Sequence, residues 1–306
     1  DLHTARNDWG FTTYPAIPGH EIVGKVTKIG NEVTKLKVGD VAAVGCLVGS
    51  CGTCDSCKQD LERYCANGWV GTYNSPDKHL GGMTYGGYSQ KVVVDQHFVL
   101  KVPSNLDLAA TAPLLCAGIT TWSPLRHWTV TKGTKVAVVG LGGLGHMAIK
   151  LAKGLGADVT LFSRSPGKEK DAKDLGADAV IISTDENQMN TVVGKFDVII
   201  DTVPYVHDIN PYINTLNISG TIVLVGYLGG LEPILNTVPM KKKKKKVAGS
   251  LIGGIAETQE MLDFCGKHNI VSDIEIIKMQ DINEAYERML KSDVRYRFVI
   301  DMSSLT

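Results

Sequence analysis

The chain has 306 residues, 43% of them hydrophobic, and its 32 basic side chains balance 32 acidic ones. That length suits two domains with cores of their own. A net charge of zero leaves no surplus of Lys and Arg for a nucleic-acid face, and no apolar run approaches the roughly 20 residues that span a bilayer.

Residues 1–115 are rich in Gly, Val and short alternating runs. Residues 21–29 and 90–94 predict strands between turn clusters, hence an all-β, barrel-like unit with a cysteine lobe inserted in it. After Cys116 the character changes. Short apolar strands are predicted at 135–139, 159–163, 180–183, 198–201 and 221–226, with helices at 146–155 and 168–175. Strands alternating with helices mean βαβ units and a parallel sheet. The six lysines at 241–246 read as a solvated run, although they stand directly before the apolar stretch 247–255. No function is assigned to them. The tail predicts helices over 257–268 and 282–291 and a strand over 298–301.

In the lobe, Cys51, Cys54, Cys57 and Cys65 follow one another with two, two and seven residues between them. Four thiolates so spaced can close around one tetrahedral ion. Zinc is the natural occupant, because it has no geometric preference of its own and takes four sulfurs in closed sites. A disulfide pair or an iron–sulfur cluster would use the same spacing. A closed site does no chemistry, so the chemistry must lie elsewhere. Seven cysteines, four of them at metal spacing, predict a reducing compartment and hence a cytosolic protein.

Gly140-Leu141-Gly142-Gly143-Leu144-Gly145 follows a predicted strand and opens a predicted helix. That context makes it a dinucleotide fingerprint rather than merely a Gly-rich turn. Gly140 allows the tight turn, Gly142 lets backbone approach the pyrophosphate, and Gly145 lets helix and strand pack closely. The helix start supplies free amides to the phosphates. The second strand of such a unit ends in Asp or Glu when the ligand is NAD. Here it runs into Ser163-Arg164-Ser165, with Lys168 one turn on, and no carboxylate. An Arg fork, a Lys charge and two hydroxyls suit a 2′-phosphate, so NADP(H) is predicted. The alternative is ordinary surface charge at a helix start.

His20 and Glu21 stand before the predicted strand at residue 22, and Cys116 stands where the two halves of the chain meet. Either a lone His or a lone buried Cys is usually packing. Together with the lobe and the fingerprint they make a family pattern. The blocks Pro18-Gly19-His20-Glu21-Ile22-Val23-Gly24, Gly71-Thr72-Tyr73, Gly86-Gly87-Tyr88, Ala112-Pro113-Leu114-Leu115-Cys116-Ala117-Gly118-Ile119-Thr120, Gly249-Ser250-Leu251-Ile252-Gly253 and Asp293-Val294-Arg295-Tyr296-Arg297-Phe298 carry it over nearly the whole chain. By these blocks the chain resembles zinc-dependent medium-chain alcohol dehydrogenases and, within them, the cinnamyl alcohol dehydrogenase-like aldehyde reductases.

The resemblance implies a Rossmann doubly wound sheet beside a GroES-like β domain. The expected bounds are 1–115 for the catalytic domain with its zinc lobe, 116–255 for the coenzyme domain, and 256–306 completing the first. It implies reversible hydride transfer between NADPH and an aldehyde, giving a primary alcohol. A catalytic zinc would be held by His20, Cys116 and an earlier Cys, with Glu21 as a ligand that swaps with water or substrate. His3 would belong to the relay carrying the alcohol proton to solvent. Thr120, Thr202, Gly226, Ser250, Leu251 and Ile252 would touch the coenzyme, and the protein would be a homodimer.

The family's first ligand Cys lies a few residues before the stretch seen here as Asp1-Leu2-His3, and its relay Ser or Thr immediately precedes the Asp. Neither is in this sequence. The expectation is that an upstream segment is not represented, the alternative being a truncated, inactive species. Trp9, Trp69 and Trp122 are aromatic candidates for a substrate slot or for the core. Two rival functions are an NAD-dependent polyol or secondary-alcohol dehydrogenase, which the missing carboxylate after Phe162 opposes, and a zinc-bearing NADPH-binding protein without turnover.

Overall fold

The computed structural model describes residues 1–306 except His79, Tyr227, Leu228 and Thr306. Its contacts form two compact units, Asp1–Ile119 with Ile252–Thr306, and Thr120–Leu251.

In the first unit the early strands are β1 (Ile22–Lys25), β2 (Val41–Val44), β3 (Leu47–Gly49), β4 (Val70–Gly71) and β5 (Leu100–Lys101). β2 lies between β1 and β5 and is antiparallel to both, while β3 pairs antiparallel with β4. Leu36, Val44 and Val99 form a core with Ile22, Val26 and Val33 around it. β1 is shorter than the predicted 21–29. Val26 still donates to Asp40 O and accepts from Gly39 N, after which Gly30 opens a turn closed by Val33 N. Residues 90–94 form no strand. Their alternation survives, with Val92 and Val94 half-buried and Lys91 and Val93 exposed. They have no ladder partner among the described residues, and a ladder needs two strands.

The second unit holds β6 (Lys135–Val139), β7 (Asp158–Ser163), β8 (Ala179–Ile182), β9 (Phe196–Asp201), β10 (Leu216–Leu224) and β11 (Lys246–Gly249). They form one sheet in the order β11-β10-β9-β6-β7-β8, with every pairing parallel. Val136, Val138, Leu161, Ile199 and Ile200 are fully buried. Strands covered on both faces read as continuous apolar runs, which is why the pattern was visible in the sequence. From β6 the chain builds outward to β8, then returns to place β9 on the other side of β6. The crevice at such a reversal, beyond the carboxyl ends of β6 and β9, is where open α/β sheets bind ligands.

The lysine run is divided. Residues 241–243 end the helix Thr237–Lys243, Lys244 adopts a left-handed φ of 52°, and Lys246 opens β11. Lys245 is buried, and its Nζ donates to Ile213 O at 2.6 Å and Asn214 O at 3.1 Å. One member of the run thus satisfies carbonyls at the end of the helix Asn210–Thr215. Its neighbours are exposed.

The chain then re-enters the first unit. It adds the helix Ile255–His268, β12 (Ile274–Lys278), the helix Ile282–Leu290 and β13 (Arg297–Asp301), with β12 and β13 parallel. No single helix among the described residues is long and apolar enough to cross a membrane. The segments Leu108–Leu115 and Ala117–His127, bent by 55°, meet the length and composition only as a pair, and most of their residues are buried in the protein.

Candidate active site and metal centres

The short helix Asp55–Lys58 brings the lobe cysteines together. Their sulfurs lie within 4.8 Å of one another. Cys54 Sγ stands 3.5 Å and Cys51 Sγ 3.9 Å from Cys57 Sγ. Four sulfurs bound at about 2.3 Å in a tetrahedron stand about 3.8 Å apart, whereas a disulfide holds its sulfurs about 2.05 Å apart. The observed spacing is that of one tetrahedral ion, and all seven cysteines are free. The backbone supports thiolate sulfurs here. Cys51 Sγ accepts from Cys54 N, Cys54 Sγ from Ala66 N, and Cys65 Sγ from Cys51 N, at 3.3–3.4 Å. Hydrogen bonds from the Thr53 and Cys54 amides and the Thr53 hydroxyl bring Cys51 down to about 5. The lobe also reaches across the unit. Buried Glu62 accepts from His97 Nε2 at 3.0 Å and, with its other oxygen, from Ile255 N at 3.1 Å at the start of the helix Ile255–His268.

A second set of donors converges where β1 begins, β2 ends and the turn Ala112–Leu115 delivers Cys116. His20, Cys46 and Cys116 present ligand atoms that all lie within 4.8 Å of one another. Asp1 Oδ1 accepts from Gly19 N at 2.9 Å and stands 3.0 Å from His20 Nδ1. That contact fixes the ring and leaves Nε2 for a metal, as a carboxylate does behind a ligating imidazole. Cys116 is held well below the ordinary thiol value, first by its hydrogen bond with Cys46 and then by the neighbouring His20 and Arg297. Cys46 moves the other way, because it shares that bond and is desolvated.

Glu21 is not among the three converging donors. Its Oε1 receives Arg297 Nη2 at 2.5 Å, and both side chains are largely buried. Arg297 is pushed further up by Glu21 against the cost of burial. Among the described residues the thiol that converges with His20 and Cys116 is Cys46; it follows His20 in the chain and so is not the earlier Cys that the resemblance implies. Sequence reasoning passed over it, its only signal being that it is one of three thiols outside the lobe; the other two are Cys116 and Cys265, and Cys265 packs in a helix against Met261. Asp1 and Arg297 were missed as supports for the same reason, since only folding brings them to His20 and Glu21. His3, on the helix Leu2–Ala5, is not among the converging donors; it is 53% exposed, with Nδ1 2.9 Å from Asp8 Oδ2. Trp122 is buried in the core, while Trp9 and Trp69 are partly exposed. A cavity of about 400 Å³ borders His20 and Glu21, with Leu108, Ile276 and Phe298 in its walls, and includes none of these tryptophans.

In the second unit β6 ends at the fingerprint. Gly140 has φ +89°, a conformation side chains resist. A Cβ on Gly145 would stand 2.1 Å from Gly140 O, so only glycine lets the helix Gly145–Gly154 start against the strand. A Cβ on exposed Gly142 would meet nothing within 4 Å. The protein itself leaves that position open, which fits a phosphate cradle. Leu141, Gly143 and Leu144 complete the turn. At the end of β7, Ser163 Oγ donates to Ser165 O at 2.8 Å, and Ser165 Oγ accepts from Gly167 N at 3.3 Å. Arg164 is exposed, its guanidinium 6.0 Å from the Tyr205 ring centroid. Lys168 is turned inward, Nζ donating to Leu141 O at 2.9 Å.

Thr202 Oγ1 donates to Val139 O at 2.8 Å, and Gly226 lies so close to Thr202 that a Cβ would stand 2.4 Å from its carbonyl carbon. Ser250 N donates to Leu224 O at the carboxyl end of β10, followed by partly exposed Leu251. Thr120 is buried in the helix Ala117–His127, and Ile252, in the first unit, has φ 36°.

Family models agree with both halves. The model described as alcohol dehydrogenase GroES-like domain matches residues 1–104, and that described as zinc-binding dehydrogenase matches residues 143–267. An NADP-dependent alcohol dehydrogenase C 1 of Mycolicibacterium smegmatis is 53% identical over 306 residues, covering all of this chain and 87% of that protein. A vomilenine reductase of Rauvolfia serpentina is 54% identical over 99% of this chain and 84% of its own length. Among solved structures, a cinnamyl alcohol dehydrogenase of Sorghum bicolor matches with a TM-score of 0.95 at 47% identity, covering 100% of this chain and 87% of that one. A cinnamyl alcohol dehydrogenase of Helicobacter pylori, complexed with NADP(H), matches at 0.90 and 42%, over 99% and 86%.

Proposed function

Since the chain belongs to the zinc-dependent alcohol dehydrogenases of the medium-chain fold, we propose that it transfers hydride reversibly between NADPH and an aldehyde, giving a primary alcohol. The observation that carries this reading is the convergence of His20, Cys46 and Cys116. Two thiolates and an imidazole are the donor set of a catalytic zinc that keeps one position open. The four lobe cysteines, by contrast, make a closed structural site.

When bound, the zinc supplies a Lewis acid for the carbonyl oxygen and the coenzyme supplies the hydride. The chain supplies position and charge. Asp1 holds His20 with Nε2 free, and Arg297 holds Glu21 beside the donors, from where its carboxylate is available as an exchangeable ligand. Gly142 admits the pyrophosphate to the helix start. Arg164, with the hydroxyls of Ser163 and Ser165, would hold the 2′-phosphate, and Lys168 steadies the glycine turn and would add charge. Thr120, Thr202, Gly226, Ser250, Leu251 and Ile252 are proposed as further coenzyme contacts. His3, exposed and paired with Asp8, stands as the outer member of a path that returns the alcohol proton to water. The unit Thr120–Leu251 is read as the coenzyme domain and the other as the catalytic domain. The free thiols support a cytosolic location and the family resemblance a homodimer, to be checked by fractionation and light scattering.

The decisive assay follows coenzyme oxidation by the zinc-loaded protein with a panel of aromatic and aliphatic aldehydes. NADPH should support reduction far better than NADH, and a chelator should abolish turnover without preventing NADPH binding. Equal use of NADH, or turnover that survives removal of both metals, would overturn the reading.

A further inference from the structure

We propose that Asp201 and His207 form a protonation-dependent latch on residues 202–208, so that affinity for NADPH falls as His207 loses its proton. This rests on the coenzyme reading above and adds a positioning residue that neither the fingerprint nor the metal site uses.

Asp201 closes β9 and is 2% exposed. One carboxylate oxygen accepts from Val203 N at 3.1 Å, and the other stands 2.8 Å from His207 Nε2. His207 Nδ1 stands 2.9 Å from Tyr205 O. Both ring nitrogens therefore face oxygens that only accept, for a carbonyl has no proton and an ionised carboxylate has none. A neutral imidazole carries one N–H, and only the imidazolium can make both bonds. The surroundings agree in sign. Asp208 adds negative charge next in the chain, the Tyr212 ring stands 6.2 Å away, and Arg164 lies beyond Tyr205. The hydrogen bond to Asp201 outweighs partial burial and raises His207 above its ordinary value.

The latch holds something of use. Residue 202 is anchored to β6 through Thr202 Oγ1 and Val139 O, and Gly226 packs against it. The other end of the loop has His207 as its tie to β9. Between them Tyr205, half-exposed, offers its ring to the Arg164 guanidinium. The neutral ring keeps one N–H and can hold one of the two bonds, so the loop loses either its tie to Asp201 on β9 or the bond that sets Tyr205, whose ring stands over Arg164. The sign follows: His207 has a raised value, so the latch is closed below it and opens as pH rises through it.

The test is the dissociation constant of NADPH, read by its fluorescence on the full-chain protein between about pH 6 and pH 9. The parent should weaken by at least about threefold across that range, with a ceiling near tenfold per pH unit if only the latched loop binds. His207→Gln presents an amide that donates without titrating, and its curve should be flat within about twofold. Asp201→Asn removes the charge that raises His207, so its midpoint should move to lower pH. A flat parent, equal slopes in the parent and His207→Gln, or an unmoved midpoint in Asp201→Asn overturns the latch. A parent that binds NADPH no better than NADH at the low end of the range overturns the coenzyme reading itself, and the latch with it.

Discussion

The sequence reads Arg164 and Lys168 together as a phosphate site, but their side chains lie differently in the structure, and single substitutions should separate them. Arg164 is exposed, and its guanidinium stands 6.0 Å from the centre of the Tyr205 ring. On the proposed reading its contribution should therefore be specific to the coenzyme carrying the extra phosphate. Charge-assisted contacts contribute roughly 1.5–3 kcal/mol, and solvent exposure puts this one at the lower end, about tenfold in affinity. Lys168 Nζ instead donates to Leu141 O, inside the glycine turn that both NADH and NADPH must use. Arg164→Ala should lower the ratio of NADPH to NADH affinity by about tenfold while leaving NADH within about twofold. Lys168→Ala should weaken NADH as well, by about three- to tenfold, because a net hydrogen bond in the cradle is lost. Fluorescence titration of both coenzymes against both variants reads this directly. If Arg164→Ala keeps the full ratio, the 2′-phosphate does not meet this side chain; if Lys168→Ala leaves NADH untouched, the tie to Leu141 is of no consequence.

Other parts of the molecule make equally specific claims. Cys54→Ser should lower zinc content by one ion and the melting temperature by more than it lowers activity per folded molecule, since a structural zinc contributes folding energy directly; unchanged zinc and melting temperature would mean the lobe holds no metal. Asp1→Ala should weaken binding at the His20–Cys46–Cys116 site by about 10- to 100-fold in a chelator competition, with the lobe as internal control, and unaltered competition would deny Asp1 its orienting role. Arg297→Met leaves the Glu21 carboxylate buried beside the thiols without its counter-ion, and urea denaturation should record a loss of about 3–5 kcal/mol. Adding Glu21→Gln should recover much of it; a single variant within about 1 kcal/mol of the parent would show the pair is not buried in effect.

What could be read from the sequence was what depends on one segment at a time. β6 and β9 were visible because strands buried on both faces are apolar throughout, and their ends moved by no more than two residues. The cysteine lobe and the glycine turn were visible because their ligating or permissive residues lie within one loop. Residues 90–94 show the converse: alternation marks a surface fit for pairing, not the partner. Cys46 was invisible because it reaches the metal donors by way of β2, and nothing in Gly45-Cys46-Leu47 announces that. The resemblance makes Glu21 an exchangeable ligand beside His20, but that its carboxylate is held by Arg297, from the far end of the chain, only the fold shows. Lys245 was hidden in a run of like residues that only the fold tells apart.

The bond between Glu62 and Ile255 joins residues 193 positions apart, and it bears on the order in which the protein matures during translation. A chain that emerges from the ribosome amino end first usually folds its first domain first. Here the unit Thr120–Leu251 is complete in sequence while the earlier unit still awaits Ile252–Thr306. At ordinary synthesis rates the unit begun first stays unfinished for roughly 10–40 seconds after Ile119 has been made. Throughout that interval Glu62 has no helix amide to accept from, and β13 with Arg297 has not arrived to hold Glu21. The half of the molecule that carries both sets of metal donors is thus the last to close, and a ribosome stalled before residue 252 would release a finished coenzyme fold attached to an open metal-binding one.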